Sequence, residues 1–128
     1  MIDHVLITVS DLAASEKFYR KALEALGYSV SPEFILDSTK AKGVGFGLKS
    51  KELEFFITEG EAITPPIHVA FRVPTRQEVV NFHQDGIAAG GQDNGAPELT
   101  PEYDPNYFSA YVLDPDGHNI EAVTYEEK

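Results

Sequence analysis

The sequence predicts an α+β fold built from two βαβββ modules. Three observations predict it: strand-like segments interleave with two amphipathic helical segments, a pattern recurs at an offset of 64 residues, and the chain closes with a hairpin. We expect a single domain over 1–128, with module one at about residues 1–58, a connector at 59–66 and module two at about 67–128.

The composition argues against several classes of partner and of active site. Ten basic against twenty-one acidic residues in a chain of 128 give a formal charge of −11, which argues against nucleic acid and against an anionic membrane as partners. Without cysteine there is no disulfide, no thiolate nucleophile and no cysteine-bound zinc, so a metal must be held by His, Asp or Glu. The N-terminal residues do not resemble a signal peptide, and we expect a cytoplasmic protein.

Module one begins with alternating residues at 3–9, typical of a strand, followed by an apolar stripe over 12–26, typical of a helix that ends at Gly27. A second strand is expected over 28–36, although Pro32 interrupts it. In 43–48 glycine alternates with apolar residues, which predicts a strand with one empty face and room for a ligand. A strand over 53–58 directs Glu54 to the same side as Phe56.

Module two repeats this order. Residues 68–73 match 4–9, with histidine on histidine and valine on valine, and Phe82 matches Phe18. The Thr-x-x-Glu pattern at 75–78 is a capping box, which predicts a helix over 75–90. With a three-residue insertion, Glu54 aligns with Glu121.

The second module is expected to contain a long loop and a hairpin. Gly, Pro, Asp and Asn are frequent over 92–106, which predicts a loop able to fold over a site. Residues 107–124 form two alternating segments around an Asp-Pro-Asp-Gly turn. The period of two then places Asn119, Glu121 and Val123 on one face of the last strand.

These features resemble the vicinal oxygen chelate superfamily, which includes glyoxalase I, extradiol dioxygenases and bleomycin-resistance proteins. The resemblance rests on DHVLITVSDLAASEKFY, PPIHVAFRV, AAGGQDNGAP and YVLDPDGHNIEAV, and extends over nearly the whole chain. It implies a curved mixed sheet around a central cavity, a homodimer, and a divalent metal held by His4, Glu54, His68 and Glu121. AAGGQDNGAP continues with Glu98-Leu99-Thr100, where relatives often have Gly-x-Arg, so no basic residue of this loop is assigned to substrate.

Two chemistries suit these ligands. Two imidazoles and two carboxylates around zinc, nickel, manganese or iron(II) form a Lewis acid that stabilises an enediolate or alkoxide. His4, His68 and Glu121 alone are a two-histidine, one-carboxylate set, which suits ferrous iron and dioxygen. Glu54 discriminates between them, because proton transfer needs it as a ligand or a base.

Other polar residues are candidates for substrate binding. They are hydroxyl-bearing or basic side chains with the same strand parity as the histidines or alternating along 107–111: Thr8, Arg72, Tyr107, Ser109 and Tyr111. The other two histidines are given no role, since His83 is expected to be structural or exposed and His118 to be solvated beside the turn.

The sequence therefore predicts a metal-dependent lyase or isomerase of the glyoxalase type, acting on a small oxygenated molecule, with Glu54 and Glu121 as catalytic residues. No motif indicates glutathione. Two alternatives stay open: a non-haem iron extradiol-type dioxygenase, and a metal-free protein that sequesters a small molecule or antibiotic.

Overall fold

The computed structural model of the protein describes residues 1–49 and 51–128, in which two helices and nine strands form two mixed sheets. The α+β class and the two similar modules are thereby confirmed. The elements of module one are β1 (Val5–Val9), α1 (Leu12–Glu24), β2 (Tyr28–Val30), β3 (Phe34–Ile35), β4 (Lys42–Leu48) and β5 (Phe55–Glu59). Those of module two are β6 (His68–Arg72), α2 (Arg76–Ala88), β7 (Gln92–Leu99), β8 (Phe108–Leu113) and β9 (Asn119–Thr124).

The two sheets have corresponding topologies. Their strand orders are β1-β5-β4-β2, with β3 also paired to β4, and β6-β9-β8-β7. In each module the first strand runs parallel to the last, so that Val5 pairs with Phe55 and Ala70 pairs with Glu121. Because β1 and β6 stand at one end of their strand orders, both are edge strands.

The helices begin where the sequence predicts. Asp11 accepts a hydrogen bond from the Ala14 N–H at 3.1 Å, and Thr75 accepts one from the Glu78 N–H at 3.2 Å. The Thr75 hydroxyl also donates to Glu78 Oε1 at 2.7 Å. N-caps of this kind stabilise a helix by about 1 kcal/mol. Along residues 1–49 and 51–128, neither helix has the length and apolar character needed to cross a bilayer.

A core shared by both modules holds the sheets and helices together. α1 and α2 pack against each other, and each also packs on its own sheet. Ile7, Phe71 and the helical residues Phe18, Leu23, Val79 and Phe82 are buried, while Val5 and Val69 are partly buried against them. The predicted assignment of strand faces is thereby confirmed, and each fully buried apolar side chain contributes about 1.5–3 kcal/mol.

A polar contact also joins the modules. The Tyr19 hydroxyl on α1 donates to Oδ2 of buried Asp114, in the β8–β9 turn, at 2.5 Å. Burial, and then the negative charge of Asp114, raise the pKa of Tyr19 well above its ordinary value. The next turn carboxylate, Asp116, accepts from the Ser10 N–H at 3.1 Å. The closing turn of module two is therefore anchored to the start of α1 in module one.

The prediction of a long loop over 92–106 is wrong for the first half of this segment. That half forms the edge strand β7, which pairs antiparallel with β8. The register of this pair shifts on both sides of Gly95. Gly95 has φ 157°, and a Cβ there would lie 2.7 Å from the Tyr111 ring, so glycine permits a close approach. Pro97 is tolerated because β7 is an edge strand.

Two predictions for module one also need correction. The strand expected over 28–36 is split into β2 and β3, on either side of Pro32. The glycine face of β4 is not open to a ligand, because side chains cover it: a Cβ on Gly43 would lie 2.8 Å from Thr58, and one on Gly45 would lie 2.7 Å from the Phe56 ring. The glycines admit large neighbours instead of a ligand.

Candidate functional site

The centre of the candidate site is a histidine–carboxylate pair on module two. His68 and Glu121 lie on the same face of neighbouring strands, since the parallel register pairs His68 with Asn119 and Ala70 with Glu121. His68 Nε2 is 3.0 Å from Glu121 Oε1. Both side chains therefore lie on one face of the sheet.

The hydrogen bonding of His68 fixes Nδ1 as a donor and leaves Nε2 directed at Glu121. His68 Nδ1 is 2.8 Å from the Asn119 carbonyl oxygen. A carbonyl only accepts, so Nδ1 carries the proton of the neutral ring and Nε2 presents a lone pair. A lone pair 3.0 Å from a carboxylate oxygen is repulsive unless a proton or a metal cation lies between the two atoms.

Glu121 is a buried carboxylate with a second polar partner. It is 2% exposed, and its Oε2 accepts a hydrogen bond from the Tyr107 hydroxyl. Burial and this hydrogen bond raise the pKa of Tyr107, so the phenol remains a donor at neutral pH. Tyr111 pairs with Glu121 across β8 and β9, and its ring centroid lies 6.2 Å from that of His68. Ser109 approaches the Tyr111 hydroxyl at 3.4 Å.

The donor pair fits a divalent metal. Two ligands at about 2.1 Å on adjacent octahedral positions lie about 3 Å apart, which matches the separation of His68 Nε2 and Glu121 Oε1. Imidazole and carboxylate donors suit zinc, nickel, manganese and iron. Among residues 1–49 and 51–128, no group of three or more His, Asp or Glu side chains is placed to hold a metal. Within the described residues, no third side chain of this kind joins His68 and Glu121.

Glu54 does not lie on the face predicted for it. It precedes β5, its carboxylate accepts a hydrogen bond from the Tyr28 hydroxyl, and the Tyr28 ring lies edge-on to Phe71. Leu53 takes the place beside Phe56 instead, since both would contact a Cβ at Gly45. The assumed alternation fails because residues 51–54 are not part of the strand.

Glu54 and His68 nevertheless line the same crevice between the modules. Its volume is about 460 Å³, and its apolar walls include Phe55, Val69 and Phe71. Two polar residues thus line one largely apolar crevice, an arrangement typical of ligand-binding sites.

His4 and Thr8 lie on the other face of module one. The His4 ring packs edge-on against Phe56 at 5.6 Å, and its Nδ1 is 2.6 Å from Asp3 Oδ1. Thr8 is partly buried beside Gly60. Within the described residues of one chain, neither side chain joins the pair formed by His68 and Glu121.

The expectation that His118 is solvated is wrong. His118 is 0% exposed, and its Nδ1 accepts a hydrogen bond from the Ile67 N–H at 3.0 Å. The backbone N–H of His118 donates to Asp114 Oδ1 at 2.8 Å. Asn119 N–H in turn donates to the Ile67 carbonyl at 2.9 Å. Residues 118 and 119 therefore hold Ile67, the residue before His68, through two hydrogen bonds. The alternation of side chains along β9 predicts this burial, because it places His118 on the same face as the apolar residue Ile120.

His83 has a structural environment, as expected. Its Nε2 lies 2.8 Å from Asp93 Oδ1, linking α2 to β7. The hydrogen bond from His83, followed by one from the Gly95 N–H, lowers the pKa of Asp93.

Comparisons with known proteins agree with this architecture. The family model described as "Glyoxalase/Bleomycin resistance protein/Dioxygenase superfamily" matches residues 1–122. No curated protein matches the chain. A glyoxalase/bleomycin resistance protein from Albidiferax ferrireducens has a similar structure, with 27% identity, a TM-score of 0.73, and coverage of 95% of this chain and 96% of that one.

Two further solved structures share the fold at lower identity. One is a variant of glyoxalase I from Zea mays, with 18% identity, a TM-score of 0.70, and coverage of 95% of this chain and 43% of that one. The other is a variant of the fosfomycin resistance protein FosX from Listeria monocytogenes, complexed with Mn(II) and 1S,2S-dihydroxypropylphosphonic acid. It has 19% identity, a TM-score of 0.67, and coverage of 96% of this chain and 90% of that one.

Proposed function

The chain belongs to the glyoxalase/bleomycin resistance protein/dioxygenase superfamily, and from this premise we propose that it is a metal-dependent lyase or isomerase of the glyoxalase type. The proposed substrate is a small oxygenated metabolite bound through two vicinal oxygens. The proposed cofactor is zinc, nickel, manganese or iron(II). The Mn(II) in the structurally similar FosX supports a divalent cation on this scaffold.

One observation carries the proposal: His68 Nε2 lies 3.0 Å from Oε1 of the buried Glu121 carboxylate, with Nδ1 held by the Asn119 carbonyl. His68 and Glu121 would hold the cation, with His4 and Glu54 as the further ligands that the sequence suggests. A bound cation would supply a Lewis acid that polarises the oxygens of the substrate. Tyr107 keeps Glu121 oriented by donating to its second oxygen.

Glu54 is the proposed base. Glu54 lines the crevice that His68 also lines, which supports a role against substrate carbon. There it removes a proton from the carbon next to an oxygen and returns it to the neighbouring carbon. The Tyr28 hydroxyl, which donates to Glu54, holds the carboxylate in place. Tyr107, Ser109, Tyr111 and Thr8 are proposed hydrogen-bonding groups for the substrate.

A second candidate is a non-haem iron dioxygenase. It is favoured by one observation: Glu54 is bonded to Tyr28 and lies apart from the pair of His68 and Glu121. His4, His68 and Glu121 would then form the iron-binding set.

Glu54→Gln tests these functions, because glutamine keeps the size and hydrogen bonding but not the basicity. For the lyase or isomerase, we expect the fold and substrate affinity to persist while turnover of 2-oxoaldehyde adducts or hydroxyketones falls about 10²–10⁴-fold. For the dioxygenase, oxygen consumption should stay within about tenfold of wild type. Wild-type turnover that persists after complete chelation of metal would exclude both enzymes. Ligand binding without turnover or metal would instead indicate a sequestering protein.

We also propose a homodimer with a shared site. The edge strands β1 and β6 leave one side without a strand partner in the described chain, and His4 packs on Phe56 without joining His68 and Glu121. A second copy would let His4 of one chain approach His68 of the other. An equal mixture of His4→Ala and His68→Ala protein should then restore about a quarter of the wild-type metal sites, because about half of the dimers are heterodimers and each has one intact site of two. No restoration in mixed, refolded protein would contradict a shared site.

A further inference from the structure

A guanidinium lies on the same sheet face as the candidate metal centre. Side chains alternate along β6, so His68, Ala70 and Arg72 share one face, and Arg72 pairs with Val123 on β9. Arg72 is exposed. Four residues of strand separate His68 from Arg72, which corresponds to about 13 Å between their Cα atoms.

The guanidinium is placed by a row of aromatic rings that leads to Glu121. Its Cζ lies 4.4 Å from the centroid of the Tyr125 ring. The Tyr125 ring is edge-on to Tyr107 at 5.4 Å, and the Tyr107 hydroxyl donates to Glu121. Stacking on an aromatic ring restricts the guanidinium without using its N–H donors.

These donors have no acidic partner in the structure. Within residues 1–49 and 51–128, Arg72 makes no ion pair with a carboxylate, although the chain has twenty-one acidic residues for ten basic ones. Arg20, by contrast, pairs with Glu16 on α1. An oriented guanidinium with free donors is suited to bidentate binding of an oxyanion.

We propose that the substrate carries an anionic oxygen group, a carboxylate or a phosphate-type group, which Arg72 binds while the vicinal oxygens of the same molecule occupy the centre at His68 and Glu121. This inference rests on the proposed function. It narrows the substrate class to oxygenated acids, in which a spacer separates the acid group from the two vicinal oxygens. Neutral aldehydes and ketones without an acid group fall outside this class.

Paired chelators test the inference on zinc-loaded protein. A hydroxamate offers two adjacent oxygens, and its chain can end in a carboxylate, a phosphonate or a methyl group. Calorimetric titration would compare chains of two to six methylene groups. For at least one length, we expect the wild type to bind the charged probe at least tenfold more tightly than the methyl-ended probe. The carboxylate and phosphonate arms identify which anion is preferred.

Arg72→Gln should remove this preference and leave the affinity for the methyl-ended probe unchanged. Arg20→Gln is the matched control, because it removes the same charge from the surface of α1 and should retain the preference. Equal binding of charged and methyl-ended probes by wild type, or a preference that survives Arg72→Gln, would overturn the inference while leaving the metal centre intact. Failure of every hydroxamate to bind zinc-loaded wild type would overturn the proposed function together with this inference.

Discussion

Replacing His118 separates two effects of this buried imidazole: its contribution to stability and its influence on His68. His118→Leu removes the acceptor of the Ile67 N–H, which costs about 1–3 kcal/mol. The same change removes the Nε2 group of His118, which is buried without a partner in the described chain and carries a cost of similar size. Because the two costs offset each other, we expect the free energy of unfolding to change by about 1 kcal/mol or less.

The orientation of His68 should change more than the stability. Ile67 donates to His118, Asn119 donates to the Ile67 carbonyl, and His68 donates to the Asn119 carbonyl, so these bonds form one connected set. Loss of an outer partner of a metal-binding histidine typically costs about 10–100-fold in metal affinity. We expect zinc affinity to fall about tenfold in His118→Leu. His118→Asn retains an acceptor near the position of Nδ1 and should recover most of this loss.

Nitrogen NMR of metal-free, histidine-labelled protein would show which nitrogen of His68 carries the proton. Urea unfolding would measure stability, and competition with a chromophoric chelator would measure zinc affinity. His118→Leu protein that keeps both the Nδ1-protonated ring of His68 and wild-type zinc affinity would refute the reasoning. Equal losses in His118→Leu and His118→Asn would show that the imidazole acts only through packing.

Three further predictions concern packing and ionisation. Phe71→Ala should lower the free energy of unfolding by about 3–5 kcal/mol, because the ring is 6% exposed in the core; a loss below about 1 kcal/mol in urea unfolding would contradict the core assignment. Tyr19→Phe should cost about 1.5–3 kcal/mol by leaving Asp114 without this donor. Since folding raises the pKa of Tyr19, wild type should lose stability as the pH rises above about 10, and the variant should lose less, because it keeps the raised pKa of Tyr28 and Tyr107 but not that of Tyr19. The lowered pKa of Asp93 stabilises the fold above pH of about 4, and this contribution disappears as the pH falls through the folded value. His83→Leu should move the NMR titration of Asp93 upward, and an unchanged midpoint would exclude the contact.

The regular elements of the fold follow from local sequence patterns. The apolar stripe and the caps at Asp11 and Thr75 predict both helices, because each cap satisfies backbone donors within three residues. The alternation around the closing turn predicts β8, β9 and the shared face of Glu121 and Val123. The repeat matches His4 with His68 and Glu54 with Glu121, and the family resemblance joins these residues in one ligand set.

Other features depend on contacts between distant parts of the chain. The segment with Gly95 and Pro97 has the composition of a loop, yet β8 supplies hydrogen-bond partners that make it a strand. The glycine face of β4 is filled by the rings of module one, which no local pattern reveals.

The sequence by itself determined the two modules and the helix limits, since these follow from short-range periodicity and an internal repeat. The choice of His68 and Glu121 as ligands came from the family resemblance. The period of β9 already places His118 on the apolar face, and tertiary structure supplies its partner Ile67. Tertiary structure alone decided that Glu54 turns to Tyr28, and this outcome has a physical reason. A side chain at the end of a strand is no longer held to the period of the sheet, and its direction is chosen by partners far away in sequence.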